Sequence, residues 1–237
     1  MTATELIQEI QSYCIANADA ERLQKSQRFF KEEFVGHGLT APQQYEKVKS
    51  LQKEYEIDLP EVLEAAPILM KGGMYEEISI ILLLLDGLWK KFTPETFQSI
   101  ASWFSFSITN WAHADVLGMF ILPKFLDKKI LEMSDFAPWL DSPHKFQRRC
   151  VPVTLIKHMK KTREVMPSIL FVEQLMGDPE REVHQGMGWF LREAWKINAA
   201  EVESFLLKYK DSAPRLIIQY ACEKMTPENK LRFKRSK

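Results

Sequence analysis

The segment "ITNWAHAD" (residues 108–115) sets Trp111 and Asp115 four residues apart. On a helix that spacing stacks a carboxylate one turn beyond a large aromatic ring on a single face. Such a pair fills a hydrophobic core poorly. A core stripe for the segment is Ile108, Ala112, Val116 and Met119/Phe120, and Trp111, Asp115 and Gly118 run beside it. The pair therefore borders the core without belonging to it, and Gly118 leaves space beside the carboxylate.

A second candidate lies in "EREVHQGMGWFLREAWK" (180–196). Val183, Met187, Leu191 and Ala194 form its buried stripe at helical spacing. Trp189 falls outside the stripe with Gln185, Arg192 and Lys196, and Gly186 and Gly188 strip its flanks of side chains. An aromatic among bases is either a contact surface or a ring packed on the next element. In "HKFQRRCVPVTLIKH" (144–158), Phe146, Val153 and Ile156 supply apolar contacts and Arg149 falls close to that side. An inward-leaning Arg has an anion in view, whether a ligand or an acid from a neighbouring helix. Pro152 removes one helical hydrogen bond just past the two arginines.

Other chemistries lack their residues. His113 and Asp115, at i and i+2, point apart, and the remaining histidines show no ligand spacing, so no metal is expected. No nucleophile–base signature, Walker loop or GxGxxG occurs. "KGGM" (71–74) is a turn between helices. Cys14, Cys150 and Cys222 are scattered without a CxxC pair, which excludes a disulfide framework and fits a cytosolic chain. The N-terminal "MTATELIQEIQSYC" is amphipathic and acidic, so no signal or transit peptide is expected. The longest apolar run, "ISIILLLL" (78–85), is too short to span a membrane and is a buried helix segment.

The elements that must position these residues are helical throughout, because no stretch keeps period-two alternation. Thr93-Pro94-Glu95, Asp178-Pro179-Glu180 and Thr226-Pro227-Glu228 each offer a cap, a proline at the first helical position and an acid on the dipole. Helices are predicted near 3–17, 20–35, 41–55, 60–69, 74–91, 94–104, 107–121, 123–131, 134–140, 144–161, 166–176, 179–196, 199–209 and 212–225. No linker divides residues 1–237, so a single domain is expected. Trp103 to Trp139 is 36 residues, Trp111 to Arg149 is 38 and Arg149 to Trp189 is 40. Those intervals approach HEAT-type repeats, helix pairs that stack into a solenoid with a concave face. Equivalent helices lining one groove would bring Trp111, Asp115, Arg149 and Trp189 together.

The formal net charge is zero, but it is unevenly spread. Residues 1–77 hold 14 acids and 8 bases, whereas 142–163 hold seven Lys/Arg and no acid, and "NKLRFKRSK" adds five more. Asymmetry of this kind points to either a polyanion-facing surface or a solvated basic face.

With these residues in view, the chain resembles the AlkD-type DNA alkylation repair glycosylases, a HEAT-like-repeat family, over most of its length. "RFFKEEFVGHGLTAP" (28–42) is similar to the family's N-terminal element, and "ITNWAHAD" to the segment carrying its active-site Trp and Asp. "WLDSPHKFQRRCVPV" (139–153) resembles the stretch that supplies an Arg, here Arg149. "GMGWFLREAWKINAAEVESFL" (186–206) resembles the motif whose aromatic is Trp189. Departures are Gln43 at a position often basic, Phe29 for Tyr, Phe146 for Trp, and "AHA" between the Trp and the Asp.

The resemblance implies an all-α solenoid with a concave DNA-binding groove. It implies excision of cationic N3/N7-alkylated purines such as 3-methyladenine and 7-methylguanine from duplex DNA, with no metal or cofactor. Asp115, Trp111 and Arg149 are then the catalytic candidates, and Trp189, Arg148, Lys145, Arg192 and Phe29 the substrate- and DNA-binding ones. A monomer in the bacterial cytosol and nucleoid is expected. The alternatives are a non-catalytic binder of branched or distorted DNA, resting on the basic stretch, and a protein-interaction solenoid.

Overall fold

Polar caps start most of the helices. Thr2, Thr40 and Asp58 each close a capping box with the residue three positions on, Glu5, Gln43 and Glu61. Gln43 thus takes a structural part, its Oε1 accepting the Thr40 N–H at 2.8 Å. Thr93 and Thr226 cap as their sequence predicts. Asp178 does not: the helix after it opens at Arg181, and the Asp178 carboxylate accepts the Glu180 N–H and pairs with Arg148.

The structure, a computed structural model, describes residues 1–31 and 34–236. Among the described residues it is all-α, with no strand and no helix long and apolar enough to cross a membrane. The chain divides into two compact units, Met1–Val116 and Leu117–Lys237. No linker marks the boundary, which falls within one continuous helical stretch.

The first unit holds α1 (Ala3–Ala16), α2 (Ala20–Gln27), α3 (Ala41–Glu54), α4 (Leu59–Gly72), α5 (Tyr75–Gly87), α6 (Pro94–Trp103) and α7 (Trp111–Val116). Its centre is α5, whose "ISIILLLL" run is buried almost throughout, packed on α1, α3, α4 and α7. The helix predicted over 20–35 stops at Gln27 in a turn, and its positions 32 and 33 lie outside the described residues. From Phe34 to Thr40 the chain has no regular secondary structure and is tied down by Glu76 in the first turn of α5. That buried carboxylate accepts the N–H groups of His37, Gly38 and Leu39 at 2.7, 2.8 and 3.1 Å, which satisfies it where water is absent. Gly38 has φ +81°, and a Cβ there would lie 2.2 Å from the Asp19 carbonyl oxygen, so only glycine fits.

The second unit opens with a π-helical turn, Leu117–Ile121, followed by α8 (Pro123–Asp127), α9 (Ala137–Leu140), α10 (Lys145–Thr162), α11 (Val165–Phe171), α12 (Arg181–Trp195), α13 (Ala199–Tyr209), α14 (Arg215–Ala221) and α15 (Pro227–Leu231). α12 packs between α10 and α14. Its glycines permit this: a Cβ at Gly186 would meet Arg149 Cγ at 3.0 Å, and one at Gly188 would meet Tyr220 Cβ at 2.4 Å. These residues therefore serve close helix contact and do not clear space around Trp189. Cys14, Cys150 and Cys222 are buried and joined in no disulfide; burial pushes the Cys14 thiol up to about 12.

Candidate functional site

α7 begins at Trp111 because Asn110 caps it, its Oδ1 accepting the His113 N–H at 2.9 Å. The predicted helix over 107–121 is thus shorter at its start, and after Val116 it passes into the π turn. Both changes move the core face. Ile108 is buried but precedes the helix and sets no register. A π turn takes more residues per turn, so the 3.6 spacing does not carry through it. The buried positions are His113, Ala114, Leu117, Gly118 and Ile121, while the expected stripe residues Ala112, Val116 and Met119 are half-buried and Phe120 is exposed. Gly118 packs against α10, where a Cβ would lie 2.8 Å from Val153 Cγ1.

Trp111 and Asp115 nonetheless share the outward side of α7. Trp111 is 39% exposed and Asp115 is half-buried. One face of the Trp111 ring stacks on Phe30, with centroids 5.5 Å apart at 17°. Its indole N–H points at the Phe29 carbonyl, 3.4 Å away. The Phe29 ring itself is 63% exposed beneath the Arg28 guanidinium at 5.0 Å. Phe30 is thus the aromatic partner of Trp111, and Phe29 reaches it only through its backbone.

Arg149 and Trp189 belong to the second unit. Arg149 is 5% exposed, its stem lying against Gly186 and Nη1 donating to the Glu182 carbonyl at 2.6 Å. Glu182 and Gly186 are one turn apart on α12, so the guanidinium runs along that helix face. Trp189, half-buried, stands one turn beyond Gly186. The structure therefore pairs Trp111 with Asp115 on α7, and sets Arg149 beside the α12 face that carries Trp189.

A family model described as "DNA alkylation repair enzyme" matches residues 10–225. The chain belongs to that family. Among solved structures, a predicted DNA alkylation repair enzyme from Enterococcus faecalis superposes with a TM-score of 0.75 at 17% identity, over 89% of this chain and 97% of that one. AlkD2 from Streptococcus mutans superposes with a TM-score of 0.60 at 18% identity, over 92% of this chain and 99% of that one. At these identities the likeness shows a shared fold. No curated protein sequence matches the chain.

The basic stretch of this DNA alkylation repair family member looks different once folded. Four of its seven cations face acids from other segments: Lys145 meets Glu182 at 3.3 Å, Arg148 meets Asp178 at 2.6 Å, Lys160 meets Glu193 at 2.6 Å and Lys161 meets Asp127 at 2.8 Å. Arg192 pairs with Glu223. Glu193 is held below the usual carboxylate range: burial opposes this, and hydrogen bonds from Lys160 and Lys196 outweigh it. In the C-terminal stretch, Arg232 pairs with Glu203 and Arg235 donates to the Ala213 carbonyl. Among the described residues no group of three or more His, Cys, Asp or Glu is placed to hold a metal ion.

Sequence reasoning missed the residues beneath Trp111. The half-buried Tyr75 and Asn110 and the buried His113 form a polar and aromatic cluster there. The available signal was a histidine between two alanines, His113 in "AHA", with room for a ring to turn inward.

Proposed function

We propose that the chain is a monofunctional alkylpurine DNA glycosylase that hydrolyses the N-glycosidic bond of N3- or N7-alkylated purines, such as 3-methyladenine and 7-methylguanine, in duplex DNA. Trp111 and Asp115 carry this reading: an open aromatic face and a carboxylate one turn apart on α7. Membership of the DNA alkylation repair family supports it.

The chemistry suits the pair. Alkylation at N3 or N7 makes the purine cationic and a good leaving group, so no general acid need protonate it. As the C1′–N bond breaks, both bonding electrons leave with the base, which departs neutral, and positive charge grows on the deoxyribose. The Asp115 carboxylate stabilises that charge, and it accepts a proton from the water that adds to C1′. The Trp111 face binds the cationic nucleoside by cation–π contact, worth about 0.5–2 kcal/mol, and Trp189 is given the same part. Arg149 is the candidate phosphate anchor, its plane fixed by the Glu182 carbonyl. Hydrolysis of a leaving group already charged calls on no redox or metal chemistry. The enzyme is read as a monomer acting in the cytosol and nucleoid.

The alternative, a non-catalytic binder of branched DNA, drew on the basic stretch 142–163. The ion pairs of Lys145, Arg148, Lys160 and Lys161 weaken that support.

The test is release of 7-methylguanine from methylated duplex DNA under single-turnover conditions. Wild type is expected to release base, and Asp115→Asn to be slower by about a hundredfold or more, the scale of losing one charge-stabilising group. A wild type no faster than Asp115→Asn overturns the reading.

A further inference from the structure

α7 has only six residues. A helix that short has little stability of its own, and the π turn after it breaks the regular hydrogen-bond register. Something outside the helix must fix its rotation. Asp115 stands about 5–6 Å from the axis, so turning α7 by about 10° moves the carboxylate by about 1 Å.

We infer that His113 is a positioning residue for Trp111 and Asp115, a peg that ties α7 to α5 and fixes the angle at which both are presented. The inference rests on the reading of Trp111 and Asp115 as the reacting pair. His113 and Asp115 lie about 200° apart around the helix, so the imidazole points in while the carboxylate points out. His113 is 1% exposed, between Ala112 and Ala114, which are small enough to let the ring enter.

The hydrogen bonds of the peg leave one arrangement. Asn110 Oδ1 accepts the His113 N–H, so the amide NH₂ is the group turned to His113 Nδ1, 3.0 Å away. Nδ1 is then an acceptor and Nε2 carries the proton. Nε2–H reaches the Tyr75 carbonyl at 3.1 Å, and Ser79 Oγ lies 3.1 Å from the same nitrogen while donating to that carbonyl. Burial holds the imidazole neutral, its pKa lowered to about 4.

A second set of contacts closes on the same helix. The His113 ring stacks on Tyr75, centroids 4.6 Å apart. Tyr75 meets Phe30 edge-on at 5.6 Å, and Phe30 stacks on Trp111. The path leaves α7 at position 113 and returns at 111, so it constrains the Trp111 ring as well as the helix. Asn110 and His113 also line a cleft of about 160 Å³ with Phe34 and Phe106, but their polar atoms face one another and the backbone. They act as a lock on α7 and not as a ligand site.

Three variants test this. His113→Phe keeps the ring stack and loses the hydrogen bonds. His113→Gln restores a donor at the reach of Nε2. Asn110→Asp keeps the cap acceptor but sets an oxygen against Nδ1. Single-turnover base release is expected to fall about tenfold to a hundredfold in His113→Phe and Asn110→Asp, the scale of a misplacement near 1 Å. DNA affinity should stay within about threefold, and His113→Gln should recover most of the rate. His113→Phe within about twofold of wild type, with Asp115→Asn inactive, overturns the inference and leaves the proposed function standing. Should wild type release no base, the proposed function falls and a spectroscopic readout decides the inference. With the six tryptophans replaced by 5-fluorotryptophan, the Trp111 ¹⁹F signal, assigned through Trp111→Phe, should shift or broaden in His113→Phe and Asn110→Asp while the other five hold, and should return towards its wild-type position in His113→Gln. A Trp111 signal unmoved in whichever of His113→Phe and Asn110→Asp folds overturns it.

Discussion

α7 and α10 each carry a charged candidate for the reaction, Asp115 and Arg149, and hold it by opposite means. α7 is six residues long, anchored by one capping amide, one buried imidazole and a stack of rings. α10 is eighteen residues long and runs through Pro152, gripped along its length by α12 and by ion pairs at both ends. A short helix takes its orientation from a few specific contacts, so one substitution can misdirect Asp115 with little loss of fold. A long packed helix spreads that burden, and disturbing it shows first in stability.

Arg148 gives the largest expected effect on the α10 side. Its side chain is 11% exposed and that of Asp178 is 3%, with Nη1 also donating to the Ser142 carbonyl at 2.6 Å. Arg148→Ala would leave the Asp178 carboxylate buried without its countercharge. The expected loss is about 3–5 kcal/mol, read as a lower urea midpoint at unchanged slope. The salt dependence of DNA binding should not change. A loss under about 1 kcal/mol with a shallower salt dependence would instead make Arg148 the phosphate contact that its sequence position suggests.

The same contrast explains what was legible in the sequence. Two helix starts were, because a cap needs only a few consecutive residues, as at Thr93 and Thr226. The buried stripe of α12 was, because Val183, Met187, Leu191 and Ala194 repeat over a long regular helix. The stripe of α7 was not: its register depends on the Asn110 cap and the π turn, and neither leaves a periodic mark. The Trp111–Asp115 pair survived this error because four residues stay on one side whichever face is buried. The partners of the charges in 142–163 were illegible for a different reason. The acids, Asp127, Asp178, Glu182 and Glu193, are supplied by flanking segments, and a count along the chain cannot see them. The buried carboxylate of Glu76 and the imidazole of His113 were hidden likewise, since partners 37 to 39 and 38 residues away satisfy them.

On the α7 side, acid should sharpen the comparison. His113 binds its proton near pH 6.5 when unfolded and near pH 4 when folded, because burial disfavours the imidazolium. Between those values the unfolded chain holds more protons, so stability falls as pH drops through the window and is fully present above it. The contribution lost is about 3 kcal/mol. His113→Gln should remove that part of the pH dependence, so the difference between the two unfolding curves isolates the imidazole from carboxylates that titrate in both. Parallel curves from pH 7 to pH 4 would mean that His113 is not held neutral, and the lock on α7 would need another explanation.

The smallest effect is expected at the far end of α10. Lys161 meets Asp127 at 2.8 Å, much as Arg148 meets Asp178, but their side chains are 60% and 41% exposed. Water solvates both ions when they separate, and ordering two long side chains offsets much of the attraction. Lys161→Ala should therefore change the unfolding free energy by less than about 1 kcal/mol, and less again at high salt, where screening removes most of what remains. Two pairs of similar length on one helix would then differ several-fold in worth through solvent exposure alone. A loss at Lys161 comparable with that at Arg148 would show that α10 is held by its charges wherever they lie, and the contrast with α7 would reduce to helix length.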